Sequence, residues 1–203
     1  MEKQTINTIA RAIGAGLYEQ ARVHADDDFL PIISAHKSDF VRCWAAEVAG
    51  NGAGDKAKRM LAAMKPFAKD GHFNVRECAW TVARKCIAKN LPESVAILSA
   101  WAKDMDENVR RFASEATRPR GVWREHIKEL KENPELALPI LEPLKSDGAK
   151  YVRDSLGSWL NDASKSRPDF VVNSCERIQR ESDTKETCYI VKKALRTIAK
   201  RAT

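Results

Sequence analysis

Three stretches of the chain carry polar side chains at the same offsets from a recurring valine. Offsets two, five, six and nine hold Glu77, Trp80, Thr81 and Arg84 in one stretch, Arg111, Ser114, Glu115 and Arg118 in the next, and Asp154, Gly157, Ser158 and Asn161 in a third. On an α-helix offset two lies about 200° around from offset zero, and the other three fall near it, so each set shares one face. That face is polar and partly basic. Its arginines suit bidentate contacts with phosphate, but the same spacing also makes ordinary ion pairs of Arg111 with Glu115 and Glu115 with Arg118, and Glu77 could pair with Arg84 or Lys85 on the surface. Asp162 is likewise placed to pair with Lys165. Spacing leaves both readings open.

Other chemistries are poorly represented. The five cysteines have no CxxC or Cys/His metal spacing, and the four histidines form no HExxH or HxH pair, so neither a metal nor another cofactor is expected. A formal charge of +7 in 203 residues, from 35 Lys+Arg against 28 Asp+Glu, suits a polyanionic partner or simply a solvated surface. With 43% hydrophobic residues and mixed charges, the chain should fold throughout as a single domain over residues 1–203. No apolar run reaches the roughly 18 residues of a membrane span. The N-terminus MEKQTINTIA lacks the apolar region of a signal peptide. A cytoplasmic, monomeric protein is the expectation.

What must position these faces is a repeat. Val-Arg-x-x-Ala occurs at Val41, Val75 and Val109, spaced by 34 residues twice; a fourth copy starts at Val152 and a weaker fifth at Ile190. Each follows a polar turn and opens a stretch with apolar residues at three- and four-residue spacing, which reads as the second helix of a hairpin. Pro92, Pro134 and Pro168, each followed by an acidic residue, mark the first turns of three of the first helices. Strand signals are nearly absent. The expected fold is all-α, a HEAT-like α-solenoid of five helical hairpins with an N-terminal helix near residues 2 to 20 and a basic concave face; a compact bundle is the competitor. Arg42, Arg76, Arg110 and Arg153, at offset one, read as structural arginines that pair with a neighbouring Asp, and Trp44, Trp80 and Trp101 as core.

The run from Asp106 to Trp123, DENVRRFASEATRPRGVW, is more specific than the periodicity. With Tyr151 to Leu156, Trp159 to Asp162 and Lys165 to Asp169, it resembles the bacterial DNA alkylation repair glycosylases of the AlkC and AlkD group, the AlkC branch more closely. The resemblance extends from about residue 70 to 175. It implies a monofunctional N-glycosylase that removes cationic N-alkylated bases of the 3-methyladenine or 7-methylguanine type from double-stranded DNA, without metal or lyase lysine. A noncatalytic scaffold that binds DNA structure or a protein partner is the alternative.

On that resemblance the catalytic carboxylate is Glu77, and Phe73 is an aromatic packing against the lesion. Asp162 is implied as a second acidic residue at the site, Trp123 and Trp159 as aromatics beside the lesion, and Arg111 and Arg118 as arginines on the DNA backbone. Arg84, on the same helix face as Glu77, joins them as a DNA-binding candidate. These residue types suit the chemistry: a cationic base leaves without protonation, so one carboxylate near the sugar suffices. Aromatic faces attract the cation by about 0.5 to 2 kcal/mol.

Overall fold

A computed structural model describes residues 6–121 and 124–202, and among them every regular element is helical. The chain forms two compact units, Met1–Cys86 and Ile87–Thr203. In the first, α1 (Ile6–Val23) and α2 (Phe29–Ser34) both pack on α3 (Asp39–Ala53), which also packs on α4 (Ala57–Ala68). The next helix, α5 (Phe73–Lys89), starts in the first unit and ends in the second. Gly54 closes α3 at φ 66°, a left-handed conformation that suits a residue without Cβ.

In the second unit α6 (Leu91–Trp101) leads to α7 (Glu107–Ala116), α8 (Lys128–Glu132), α9 (Leu138–Leu141), α10 (Lys150–Ala163), α11 (Pro168–Glu181), α12 (Lys185–Ala194) and α13 (Arg196–Ala202). The repeat valines open α3, α5, α7 and α10, and Ile190 lies in α12. Val75, Val109, Val152 and Ile190 are fully buried, as are Ala45, Ala79, Ala113, Leu156 and Ala194 four residues on. Offsets zero and four thus form the packed stripe that period-3.6 spacing requires. Among the described residues the HEAT-like hairpins, taken in chain order, are α2 with α3, α4 with α5, α6 with α7, residues 128–144 with α10, and α11 with α12.

Pro92 and Pro168 sit in the first turns of α6 and α11 as expected. The fourth hairpin departs from the pattern. Pro134, Pro139 and Pro143 each occupy a first turn, so its first half breaks into a 3-10 turn (Pro134–Ala137), α9 and a second 3-10 turn (Glu142–Leu144). Each proline removes a donor the preceding turn would need. Trp80 and Trp101 are buried, the latter with its ring 5.2 Å from that of Phe112, while Trp44 is partly exposed.

The offset-one arginines fasten turns. Arg42 donates to both carboxylate oxygens of Asp70 (2.7 and 3.0 Å) and to the carbonyls of His36 and Lys37. Arg110 repeats this with Asp147 (2.6 and 3.0 Å) and the carbonyls of Asp104 and Met105. Arg76 and Arg153 hold the carbonyls of Asp70 with Gly71 and of Asp147 with Gly148. Asp147 also accepts from the Ala149 amide ahead of α10. Because Asp147 is nearly buried, Asp147→Asn should cost about 1.5–3 kcal/mol, read as a lower urea midpoint at unchanged m-value.

Candidate active site

Helix α7 starts from an N-cap in which the Asp106 side chain accepts from the Asn108 amide. Its face at offsets two, six and nine turns towards α10, and there the chain assembles a charged cluster inside the second unit. Arg118 is its centre. Its Nε and Nη2 donate to Asp162 Oδ2 (2.9 and 2.7 Å), and its Nη1 donates to Glu115 Oε1 (2.8 Å). The Ser155 hydroxyl donates to Glu115 Oε2 (2.7 Å) and accepts from Ser114 (2.8 Å). Arg111 lies 3.5 Å from the same Oε2, with its guanidinium 4.3 Å above the centre of the Tyr151 ring. Lys165 Nζ reaches Asp162 Oδ1 at 2.9 Å.

Glu115 is 6% exposed and Asp162 is 5% exposed. Burial works against the charge on Glu115, but Arg111 and Arg118, helped by hydrogen bonds from Ser155 and Arg118, outweigh it and hold the carboxyl below its ordinary range. Burial likewise opposes the charge on Arg118, and Glu115 and Asp162 raise it nonetheless. Two carboxylates and three cations (Arg111, Arg118, Lys165) leave the cluster net positive.

Several of the residues singled out from the sequence are buried. Arg111 and Arg84 are 8% and 4% exposed. Trp159, expected beside the lesion, is fully buried, and its indole N–H donates to the Thr117 carbonyl (3.0 Å). It fixes the turn from which Arg118 departs and offers no ring face to a base. Arg118 and Asp162 are brought into direct contact, an association that the spacing of residues 44 apart could not announce. Trp123 lies outside the described residues.

On α5, Phe73, Glu77, Trp80 and Arg84 fall on one side of the helix. Phe73 is half exposed, Glu77 is partly exposed, and Trp80 is buried. Among the described residues no group of three or more His, Cys, Asp or Glu side chains could hold a metal ion, and no helix is long and apolar enough to cross a membrane.

On α7 and α10 the polar stripe read from the sequence is therefore a flank where successive second helices meet. Asp154 on α10 bonds Lys193 on α12 (2.6 Å) and Tyr189 (2.6 Å), and Asn161 bonds Thr197 and the Ala194 carbonyl. The partners sit near offset three of the following repeat: Ser155 for Glu115, Lys193 for Asp154. That recurrence is the signal by which Ser155 could have been found.

The model of the family described as "DNA alkylation repair enzyme" matches residues 42–198. The chain is similar to the Pseudomonas fluorescens alkylpurine DNA glycosylase AlkC bound to DNA containing an abasic site analog, with 32% identity and a TM-score of 0.73 over 86% of this chain and 46% of that one. It also resembles the fold of AlkD2 from Streptococcus mutans, at 22% identity and a TM-score of 0.68 over 94% of this chain and 98% of that one. An uncharacterized protein of Bacillus subtilis (strain 168), YhaZ, is 41% identical over 107 residues, 53% of this chain and 29% of its own length. The chain thus spans less than half the length of AlkC and of YhaZ.

Proposed function

The chain belongs to the DNA alkylation repair enzyme family, and from that premise we propose that it is a monofunctional DNA glycosylase excising cationic N-alkylated bases of the 3-methyladenine or 7-methylguanine type. The observation that carries this reading is the Glu115–Arg118–Asp162 cluster: two buried carboxylates fixed to one guanidinium, inside the stretch that matches the family. Such a preorganised arrangement places charge where it needs no reorganisation during reaction.

In this reading Glu77 is the carboxylate at the sugar. Unlike Glu115 and Asp162 it keeps some exposure, which a group meeting substrate requires. It stabilises positive charge on the sugar as the glycosidic bond breaks, and it orients the attacking water. The base already carries a positive charge, so it departs without a general acid. Phe73, half exposed one turn before Glu77, offers an aromatic face to the cation, and Trp123 is proposed for the same role. Asp162 is the second acidic group, and Arg118 positions it. The net positive cluster favours approach of the DNA backbone.

The test incubates the protein with duplex DNA treated with a methylating agent and measures free bases by mass spectrometry. Release of 3-methyladenine or 7-methylguanine is expected. DNA binding that weakens steeply with salt, with no base released, would instead support a noncatalytic DNA-binding protein.

A further inference from the structure

Successive second helices pack in a fixed register, and in the first unit that register pairs two thiols. Offset two of α10 meets offset three of α12, where Asp154 bonds Lys193 at 2.6 Å. The equivalent positions on α3 and α5 are Cys43 and Cys78. The register there is fixed independently: Asn74, one turn before Cys78, donates to Asp39, one turn before Cys43, at 3.0 Å. Further along, the helices approach so closely that a Cβ on Gly50 would lie 2.3 Å from Val82 Cγ1.

The register sets the two thiols against each other across the α3–α5 contact. Hydrogen bonding from Cys78 favours the Cys43 thiolate against the burial that opposes it, so the Cys43 thiol lies below its ordinary value. Cys43 is 6% exposed, whereas Cys78 is partly exposed. Both are reduced in the structure. One sulfur is thus accessible to a small oxidant, and the other is shielded at the facing position of the register.

We propose that Cys43 and Cys78 are a thiol–disulfide modification site, closing a reversible cross-link between α3 and α5 when a small-molecule disulfide such as oxidised glutathione is present. Cys78, passing its proton to the Cys43 thiolate beside it, attacks one sulfur of the oxidant, forming a mixed disulfide and releasing one glutathione thiolate. The Cys43 thiolate then attacks Cys78 Sγ and releases the second. Two protein thiols and one oxidised glutathione become one protein disulfide and two reduced glutathiones, the protons passing from the cysteines to the released thiolates. The cross-link lands one residue after Glu77, yet the proposal does not depend on the excision chemistry.

The experiment uses the intact protein. It is incubated with oxidised glutathione under native conditions, denatured, blocked with iodoacetamide and mapped by peptide mass spectrometry. A cross-linked species joining the Cys43 and Cys78 peptides, abolished by dithiothreitol, is expected. In Cys43→Ala, Cys78 should accumulate as the glutathione adduct, because no second thiol resolves it. The proposal is overturned if wild-type Cys78 is recovered as a glutathione adduct, or if both residues are recovered carrying the iodoacetamide label. Exposed Cys188 reports that the oxidant was active.

Discussion

Arg118→Ala should lose about 3–5 kcal/mol of stability at neutral pH, because it strips the shared cation from two buried carboxylates. Arg118 supplies three hydrogen bonds, two to Asp162 and one to Glu115, at a side-chain exposure of 15%. Arg111 and Lys165 remain, one beside each carboxylate, so the loss should fall short of two fully uncompensated charges. The pH dependence identifies the cause. In the folded protein the Glu115 carboxyl lies below its ordinary value of 4.5. The folded state therefore binds fewer protons than the unfolded chain, and the stability this contributes is full above about pH 4.5 and is lost as pH falls through the folded value. Without Arg118 that depression is weaker, so the deficit relative to wild type should shrink on acidification. Urea titrations of both proteins between pH 3 and 7 measure this. A deficit that is constant with pH would mean that Arg118 acts by packing alone.

Glu77→Gln should reduce excision on the order of 10²-fold or more while leaving DNA affinity the same or slightly higher, since one negative charge leaves the binding face. Glutamine keeps the shape of the side chain, and Glu77 sits partly exposed on a helix whose core residues Val75 and Ala79 are untouched. Single-turnover base release and a salt series of DNA binding separate the two effects. Excision equal to wild type would move the carboxylate's role to Asp162. A matching Asp162→Asn is less clean, because it also releases Arg118 and Lys165; its folding must be measured beside its activity.

The helices were legible because the repeat valines and the alanine or leucine four residues on fall at the period of a buried stripe, and all but Val41 of the repeat valines are fully buried. The offset-one arginines were read as pairing with a neighbouring Asp, which Arg42 and Arg110 do; the turn carbonyls that all four hold were not legible. The broken first half of the fourth hairpin was not, since a proline that begins a helix and one that interrupts it look alike until the next two are counted. The charged cluster was half legible. Spacing gives Glu115 with Arg118, three residues apart, but Asp162 and Ser155 come from a helix about 40 residues on, and only packing says which flanks meet. Trp159 was open to two readings, an aromatic beside the lesion or a hydrophobic contact; it stands seven residues after Val152 and three after Leu156, on the stripe that periodicity assigns to the core, and it is fully buried.

The Arg–Asp fasteners alter how the helix starts meet solvent. The first amides of a helix have no carbonyl partner within it and ordinarily exchange their hydrogens quickly with water. Here the His72 amide donates to Asp70 and the Ala149 amide to Asp147, while Arg42 and Arg110 grip those same carboxylates from the preceding second helix. Opening either amide therefore loosens a group already held by the neighbouring repeat. Deuterium should therefore enter these turns at the pace of the pair rather than of the single helix, which makes them slow-exchanging joints in a hydrogen-exchange experiment.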